Sequence, residues 1–440
     1  MKELISCLFD PKTVAVLGAS NNPSKWGSWI MEDLLTSWNP IRIFPVNPNG
    51  QDVWGRPAIS RIDQISGPID VAVIAIPTTS FEKAVDDLLA HGTKVIIGIS
   101  AGFAEYSYEG LELEKRIAKK IHDAGSLFIG PNCAGVWNAK GVHCLPIGNF
   151  TSGDVSIISQ SGGVITDVYL RLKEHHQGFA KAISVGNIAD DRVIPALIEY
   201  LDNDPETKVI MIYAEEYSPL YTRLVCESKK PIYIFSPKKN PYSETAVLHH
   251  TNSTLEHGGA WSSLSRMVNF AIMALSEQED CGNRLSIVTD SGGLGAIAAG
   301  DAYGAGFRLD IPTHRLKTAM REAVSRSLPR LLYNNPLDMV GTSGGFSQST
   351  VKVLDVLQAS DEVDCILMIL CLIETDLPAQ IEIDAAIEMA DAIRVGGKPT
   401  VIVCKDLTKP GVAALQYRNI PVYRDIETAI QILETKNVVG

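Results

Sequence analysis

The sequence lacks the features that would direct it to a zinc site, a membrane or a nucleic acid. Its eight cysteines include no Cys-x-x-Cys pair, and several lie in apolar runs, so we interpret them as buried free thiols in a reducing cytoplasm. No uncharged apolar stretch reaches the ~18 residues of a membrane span, and the N-terminus lacks the pattern of a signal peptide. The net charge of -12 argues against nucleic acid or an anionic membrane surface as a partner.

The length and composition are those of a large globular protein. Hydrophobic residues make up 45% of the 440 residues and charged residues 20%, so the chain is able to bury a sizeable core without disulfides or a structural metal. This length predicts about three domains.

Apolar, β-branched runs alternate with longer segments of helical spacing. In the first third of the chain, the runs lie at residues 14–17, 42–46, 71–76 and 95–99. Strands that are apolar along their whole length predict a parallel sheet with helices on both faces. Residues 1–140 are therefore predicted to form a doubly wound domain, with its site at the carboxyl ends of the strands.

The same alternation occurs twice more. A second set of runs lies at 154–158, 180–184, 209–213 and 232–235, and a third at 285–289, 365–370, 400–403 and 421–423. The predicted fold is thus α/β, with mainly parallel sheets in three doubly wound domains, at 1–140, 141–282 and 283–440.

Glycine-rich turns after several predicted strands indicate anion-binding sites. They lie at 18–20, 159–163 and 290–293. Backbone N–H groups and the dipole at a helix start favour a bound phosphate. We interpret Ser161, Gly162 and Gly163 as a phosphate cradle, because the Gly-x-Ser-x-Gly elbow that would make Ser161 a hydrolase nucleophile is absent.

The turn at Gly18, Ala19 and Ser20 is a weaker signal. A dinucleotide site needs Gly-x-Gly-x-x-Gly, but the next glycine is Gly27, so an NAD site has little support and another nucleotide or a phosphate remains open. Lys25 is either a phosphate contact or a solvated lysine, and its spacing does not decide between them.

Loops that follow neighbouring strands form the predicted rim of a crevice in the first domain. The residues that we select from them are Pro45, Asn47, Pro77, Ser100 and Asn132. A single loop of this kind is usually structural, whereas four around one sheet favour ligand binding.

Two adjacent histidines follow a basic segment in the second domain. His250 is a candidate nucleophile for a phosphoryl group, and Glu215, just after the run at 209–213, is a candidate carboxylate to orient its imidazole. From the residues alone, a purely structural His250 is equally open, and His249 and His257 compete for the role. Residues 252–254 resemble a loop, which weakens a metal site made by His250 and His257, so we predict no metal site.

Taken in order, these motifs are similar to those of a known family. The chain resembles the α subunit of NDP-forming (ADP-forming) acyl-CoA synthetases, relatives of succinyl-CoA synthetase. The segments that carry the resemblance are 14–20, 45–48, 100–103, 130–133, 159–163, 186–190, 213–215, 288–293 and 335–338. The resemblance implies a Rossmann-like CoA-binding domain followed by two flavodoxin-like ligase domains.

The resemblance also assigns roles to residues. His250 would be the phosphorylated histidine, oriented by Glu215, and Asn252 stands where the family has glycine. Residues 161–163 would hold the phosphoryl oxygens. CoA would lie along Gly18, Ala19, Ser20, Lys25, Pro45, Asn47, Pro77, Ser100 and Asn132.

The resemblance further implies a partner and a reaction. No segment resembles the family's ATP-grasp domain, so we expect a separate β subunit to supply it in an α2β2 assembly, with ADP or ATP and Mg²⁺ bound there. The expected cytoplasmic reaction interconverts acyl-CoA, ADP and phosphate with a carboxylic acid, CoA and ATP through a phosphohistidine. The alternative is a CoA- or acyl-CoA-binding regulatory subunit with a decayed histidine loop, which the departures at Asn252 and Glu256 motivate.

The sequence does not identify the acyl group. Candidate walls of an acyl pocket are Trp137, His143, Phe150 and Trp261. Core packing is the simpler account of the tryptophans.

Overall fold

The computed structural model describes residues 1–215, 223–225, 227–236, 263–280, 282–324, 331–339, 346–370 and 378–436. They form two compact units. The first is made of Met1–Lys173 and Gln177–Met267, and the second of Glu174–His176 and Val268–Gly440. Helices and strands are numbered in chain order.

A five-stranded parallel sheet forms the N-terminal part of the first unit. Its strands are β1 (Thr13–Leu17), β2 (Arg42–Val46), β3 (Val71–Ile74), β4 (Val95–Gly98) and β5 (Leu127–Ile129), in the order β2-β1-β3-β4-β5. The accompanying helices are α1 (Lys2–Phe9), α2 (Trp26–Leu34), α3 (Phe81–Ala90) and α4 (Tyr108–Asp123).

Alternate residues of β1 serve opposite faces of this sheet. Val14 and Val16 belong to one buried cluster, whereas Ala15 and Leu17 belong to another. Both faces are therefore covered, as expected for parallel strands that are apolar along their whole length. The carboxyl ends of the strands are the edge that remains open to a ligand.

A six-stranded mixed sheet completes the first unit. Its strands are β6 (Gly135–Asn138), β7 (His143–Cys144), β8 (Ser152–Ser159), β9 (Phe179–Ser184), β10 (Val209–Tyr213) and β11 (Ile232–Phe235), in the order β11-β10-β8-β9-β6-β7. Strand β6 is antiparallel to β9 and β7, and the other pairs are parallel. Its helices are α5 (Gly162–Lys173) and α6 (Val193–Asp202).

The two sheets of the first unit share one core. Helix α6 contributes Leu197 and Leu201 to the same buried cluster as Val14 and Val16 of β1. The rings of Phe9 and Tyr200 stack at 5.2 Å between their centroids. The carboxyl edges of the two sheets are thus held in a fixed relation within this unit.

A third sheet, in which all strands are parallel, forms the second unit. Its strands are β12 (Leu285–Thr289), β13 (Leu337–Asp338), β14 (Cys365–Leu370), β15 (Thr400–Cys404) and β16 (Val422–Tyr423), in the order β13-β12-β14-β15-β16. The helices are α7 (Leu264–Leu275), which leads into this unit, α8 (Gly292–Gly304), α9 (His314–Val324), α10 (Gln348–Ala359), α11 (Ala379–Gly396), α12 (Pro410–Gln416) and α13 (Ile426–Lys436).

The predicted fold class is confirmed: the described residues form three α/β sheets whose strands are mainly parallel. The boundaries at 140 and 282 stay a prediction. Of the cysteines that the structure describes, Cys133, Cys144, Cys365 and Cys404 are buried, Cys7 is partly buried, and none forms a disulfide. None of the described helices combines the length and apolar character needed to cross a bilayer.

Candidate functional site

The turn after β1 requires glycine at two positions, Gly18 and Gly27. Gly18 has φ +89°, and a Cβ on it would lie 2.4 Å from the carbonyl oxygen of Ala75. A Cβ on Gly27, in the first turn of α2, would lie 2.0 Å from the carbonyl oxygen of Gly18. Helix α2 therefore packs backbone against backbone on this turn, which explains a glycine that does not fit the dinucleotide spacing.

Several predicted CoA residues build this turn. The side chain of Asn47 donates to the carbonyl oxygen of Ala19 at 2.9 Å, and its oxygen accepts from the N–H of Asn49 at 2.9 Å. Ser20 accepts from the N–H of Asn22 at 3.0 Å. Lys25 is exposed at the N-cap of α2, and Pro45 is buried within β2. Asn47 thus positions the turn, and direct contacts of these residues with CoA stay a prediction.

The loops after β3, β4 and β5 are joined to one another. The hydroxyl of Ser100 donates to the carbonyl oxygen of Ile76 at 2.6 Å, and the N–H of Asn132 donates to the carbonyl oxygen of Ser100 at 3.0 Å. Asn132 has φ +56°, a left-handed conformation that asparagine tolerates better than most residues. Pro77 is exposed beside them. These bonds hold the three loops as one rim.

A chain of amide and carboxylate groups ties this rim to the second sheet. The side chain of Asn187 donates to Glu105 at 2.6 Å, and its oxygen accepts from the side chain of Asn132 at 3.3 Å. Burial acts to raise the pKa of Glu105, but the bonds from Asn187 and the N–H of Gly102 outweigh it and lower that pKa. Glu105 is therefore a carboxylate that fixes the loop after β4.

The turn between β8 and α5 exposes amide donors at a helix start. The hydroxyl of Ser159 accepts from the N–H of Ser161 at 3.1 Å and donates to its carbonyl oxygen at 2.7 Å. This bond occupies the amide of Ser161. Gly162 and Gly163 open α5, and the first N–H groups of a helix have no intrahelical partner. The two glycines are therefore the donors available to an anion.

Glu215 lies beside this turn. The side-chain oxygen of Gln160 accepts from the N–H of Glu215 at 2.5 Å, and the N–H of Gln160 donates to the carbonyl oxygen of Tyr213 at 3.2 Å. Burial, followed by the charge of Glu215, raises the pKa of Tyr213. His250, His249, His257, Glu216 and Trp261 lie outside the described residues, so the predicted pairing of Glu215 with His250 stays a prediction.

One cavity of the first unit contains residues predicted for CoA and for phosphate. Its volume is about 650 Å³. Pro77, Ser100 and Asn132 line it from the first sheet, and Gly162 and Gly163 line it from α5. The remaining lining residues are Trp26, Ala75, Ile76, Thr78, Ile99, Ala101, Cys133, Ala134, Ile147, Thr166 and Ser184. The residues predicted to bind CoA and those predicted to bind phosphate therefore line one cavity.

A second cavity lies at the carboxyl ends of β1 and β2, with a volume of about 630 Å³. Gly18 and Pro48 line it, together with the basic side chains of Arg61 and Lys83, and Ile76 borders both cavities. Lys83 pairs with Asp87 at 3.0 Å, and Arg61 pairs with Asp63. The predicted residues that the structure describes and that line neither cavity are Ala19, Ser20, Lys25, Pro45, Asn47, Ser161 and Glu215.

The candidate acyl-pocket aromatics pack elsewhere in the first unit. Trp137 stacks on His143 at 5.2 Å and meets Phe150 at 5.8 Å between ring centroids. Trp137 is buried, and none of these three residues lines either cavity. Trp137 therefore packs in the core, and the partly buried His143 and Phe150 pack against it. Trp26, Ala134, Ile147, Arg61 and Lys83 line the cavities without a sequence motif to signal them.

Two family models match successive parts of the chain. Residues 12–139 match a CoA binding domain, and residues 152–278 match a succinyl-CoA ligase like flavodoxin domain. The first match contains β1 to β5 and the second contains β8 to β11. The two models thus cover most of the unit in which both cavities lie.

Relatives and solved structures match over most of the chain. The acetate–CoA ligase [ADP-forming] II subunit alpha of Pyrococcus furiosus is 28% identical over 84% of this chain and 83% of the relative. The acetate–CoA ligase [ADP-forming] I of Archaeoglobus fulgidus is 30% identical over 82% of this chain, which spans 54% of that longer relative. A crystal structure of a Pyrococcus horikoshii OT3 protein has a TM-score of 0.82 at 26% identity and covers 98% of both chains.

A second solved structure shows the same fold. The apo form of a dinucleotide forming acetyl-coenzyme A synthetase 1 from Ca. Korarchaeum cryptofilum has a TM-score of 0.83 at 24% identity, over 98% of this chain and 96% of the other. At this identity the match bears on fold alone, whereas the sequence relatives and both domain models bear on family. The chain therefore contains a CoA binding domain and a succinyl-CoA ligase like flavodoxin domain, and it is similar over most of its length to the α subunits of ADP-forming acetate–CoA ligases.

Proposed function

We propose that the chain is the α subunit of an ADP-forming acyl-CoA synthetase and that its first cavity is where the thioester reacts. One observation carries the proposal: the rim residues Pro77, Ser100 and Asn132 and the helix start at Gly162 and Gly163 line the same cavity. A thioester that enters over the rim would meet a phosphate held by those amides. The names of the relatives, which are ligases of acids and CoA, support the same reaction class.

The second cavity suits the nucleotide end of CoA. Gly18 has no side chain between the ligand and the end of β1. Asp63 and Asp87 also line this cavity and pair with Arg61 and Lys83, so these two cations would exchange their carboxylate partners for the phosphates of CoA. Ile76 lines both cavities, and the pantetheine arm would pass over it from this cavity to the first. CoA would thus span both cavities, with its sulfur near Gly162.

The proposed chemistry transfers one phosphoryl group in three steps. A phosphate oxygen attacks the thioester carbonyl carbon, the C–S bond breaks, and the CoA thiolate leaves and takes up a proton. A ring nitrogen of His250 then attacks the phosphorus of the acyl phosphate, and the P–O bond breaks to release the carboxylate. Finally, a terminal oxygen of ADP attacks the phosphohistidine, which forms ATP and restores the imidazole.

The chain's own residues would act on the charge that develops in these steps. The amides of Gly162 and Gly163 would donate to the phosphate, and preorganised donors of this kind contribute on the order of 3 kcal/mol to a charged transition state. Glu215, held beside the turn by Gln160, would accept the second N–H of the His250 ring and stabilise its positive charge.

The partner is part of the proposal. The P. furiosus relatives carry the name subunit alpha, which supports a separate β subunit. We assign to that β subunit an ATP-grasp domain with ADP or ATP and Mg²⁺, in a cytoplasmic α2β2 assembly. The three domains proposed for this chain keep the boundaries 1–140, 141–282 and 283–440.

A phosphorylation experiment tests the relay. The chain with its β subunit and γ-labelled ATP is expected to acquire an acid-labile, base-stable phosphate. His250→Ala is expected to abolish the label, whereas His249→Ala, which changes the adjacent imidazole, is expected to retain it. A label that persists in His250→Ala contradicts the assignment. CoA binding without any label, in the presence of an active β subunit, would favour the regulatory alternative.

A further inference from the structure

An apolar wall lies against the helix start that we assign to phosphate. A Cβ built on Gly162 would lie 3.0 Å from the Cβ of Ala134 and 3.3 Å from the Cδ1 of Ile147. All three residues line the first cavity. Any group bonded to a phosphate on the amides of Gly162 and Gly163 must therefore run beside two hydrocarbon side chains.

Both wall residues are hydrogen-bonded to elements of the second half of the first unit. The N–H of Ala134 donates to the hydroxyl of Ser184 at 2.9 Å, and the hydroxyl of Thr166 donates to the carbonyl oxygen of Ile147 at 3.4 Å. Ala134 is 7% exposed. A wall held by strand β9 and helix α5 keeps its distance from Gly162, so its side chains set the shape of the adjacent space.

The cavity offers hydrocarbon to a ligand and no ionic partner among the residues described. Its further apolar side chains include Trp26, Ile76 and Ile99, and its polar groups are hydroxyls, one thiol, one side-chain amide and backbone. No Lys, Arg, His, Asp or Glu occurs among the described residues that line it. A second carboxylate buried here would lose its hydration without a cation to replace it.

We propose that Ala134 and Ile147 form the acyl subsite, and that this subsite selects an uncharged alkyl acyl group longer than acetyl and rejects a dicarboxylic acyl group. This inference rests on the proposed function, because the thioester must lie at Gly162 for its acyl chain to contact these side chains. The substrate class is thus an aliphatic monocarboxylic acid, and Ile147 is a residue that determines specificity.

The affinity for an acyl-CoA is expected to depend on the length and charge of its acyl group. Each methylene that leaves water for an apolar wall strengthens binding about fourfold when it is fully buried. Butyryl-CoA, with two methylenes more than acetyl-CoA, is therefore expected to bind about tenfold more tightly, allowing for partial burial. Succinyl-CoA has the same carbon count as butyryl-CoA but carries a carboxylate, and it is expected to bind on the order of 100-fold more weakly than butyryl-CoA.

Calorimetric titration of the full chain with CoA, acetyl-CoA, butyryl-CoA and succinyl-CoA tests the subsite without the β subunit. The expected order of affinity is butyryl-CoA, then acetyl-CoA, then succinyl-CoA. Equal affinities for acetyl-CoA and butyryl-CoA, or a tighter complex with succinyl-CoA than with butyryl-CoA, would overturn the inference. If CoA itself does not bind, the proposed function fails, and the inference falls with it.

A variant then assigns the preference to the wall. Ile147→Ala is expected to reduce the butyryl-to-acetyl ratio of affinities at least about threefold and to leave the affinity for CoA unchanged. Ile381→Ala makes the same substitution on helix α11, where the side chain is 49% exposed, and is expected to leave the ratio as it is. An unchanged butyryl-to-acetyl ratio of affinities in Ile147→Ala overturns the assignment to Ile147. If that variant does not fold, the titration of the unaltered chain with the four ligands still decides the inference.

Discussion

The side-chain oxygen of Gln160 accepts a hydrogen bond at 2.5 Å from the backbone N–H of Glu215. The N–H of Gln160 also donates to Tyr213, at the end of β10. Gln160 directly precedes the turn at Ser161, so these bonds fix the candidate carboxylate relative to the candidate phosphate site. Gln160 is thus a positioning residue between two strands that are neighbours in the sheet but distant in sequence.

Replacement of Gln160 by alanine should affect turnover more than binding. Gln160→Ala leaves the N–H of Glu215 without this acceptor, which costs about 1–1.5 kcal/mol, so we expect kcat to fall about tenfold. The Kd for CoA should not change, because the CoA rim lies on the first sheet. Steady-state kinetics of the complex with its β subunit, combined with calorimetry of the chain alone, measure the two quantities.

The control for this variant is Gln380→Ala. Gln380 is exposed on α11 and donates to Asp384 at 2.7 Å, so the same substitution should leave kcat unchanged. Unaltered turnover in Gln160→Ala would mean that the position of Glu215 does not matter for the reaction. A parallel loss of CoA binding would instead indicate a general disturbance of the fold.

The close contact between Gly27 and Gly18 predicts that alanine at position 27 destabilises the protein, whereas alanine at an exposed helical glycine should stabilise it. Gly27→Ala would place a methyl group 2.0 Å from the carbonyl oxygen of Gly18, so α2 must move, and we expect the free energy of unfolding to fall by at least about 2 kcal/mol. Gly300→Ala, on the exposed face of α8, meets nothing within 4 Å and should stabilise its helix by about 1 kcal/mol. Urea denaturation followed by circular dichroism measures both, and a neutral Gly27→Ala would contradict the close packing.

The spacing of apolar residues along the chain and the residue types of the turns made much of the fold predictable. The runs at 14–17 and 209–213 became β1 and β10, because strands of a parallel sheet must be apolar on both faces. Strands β6 and β7 were not predicted. They are short, and β6 pairs antiparallel with β9 across more than 40 residues, a long-range pairing that leaves no period in the sequence.

The candidate site was predictable only where one local segment carries it. The glycines at 162 and 163 predict a helix start without information from any other segment. Trp26, Ala134 and Ile147 come from different elements and meet at one cavity through the packing of two sheets. Asn47 was predicted to contact CoA, which stays a prediction; its side-chain bonds to Ala19 and Asn49 are visible only in the folded turn.

The basic side chains of the second cavity predict a salt-sensitive contribution to CoA affinity. Lys83 is 80% exposed and pairs with Asp87 at 3.0 Å, a pair that water screens strongly and that a CoA phosphate is able to replace. Lys83→Ala is expected to raise the Kd for CoA about three- to tenfold at low ionic strength, and the effect should shrink as salt is added. Titration calorimetry at two salt concentrations measures it.

Lys115→Ala is the matched control for that experiment. Lys115 is 61% exposed on α4 and pairs with Glu112 at 3.1 Å, so it resembles Lys83 except that it lines neither cavity. Its removal should not change the Kd for CoA. If both variants change the Kd equally, the cause is the loss of one positive charge and not the position of Lys83. If Lys83→Ala does not change the Kd, the second cavity is not part of the proposed CoA site.

Asp33 predicts a pH-dependent loss of stability within the first unit. Burial raises the pKa of Asp33 from 3.8 to about 6, although the N–H of Leu145 donates to its carboxylate at 2.6 Å and opposes the shift. A carboxyl whose pKa is higher in the folded state stabilises the fold when protonated, and this stabilisation is complete below about pH 4 and lost as the pH rises through 6. At pH 7.5, Asp33→Asn should therefore increase the free energy of unfolding by about 1–3 kcal/mol, and the gain should vanish near pH 4.

The control variant is Asp123→Asn. Asp123 is exposed, pairs with Lys119 at 2.6 Å and has a lowered pKa, so its replacement should not increase the free energy of unfolding at pH 7.5. Chemical denaturation across pH 4 to 7.5 tests the sign, and a gain for Asp33→Asn that is the same at both ends of this range would show that Asp33 does not titrate there.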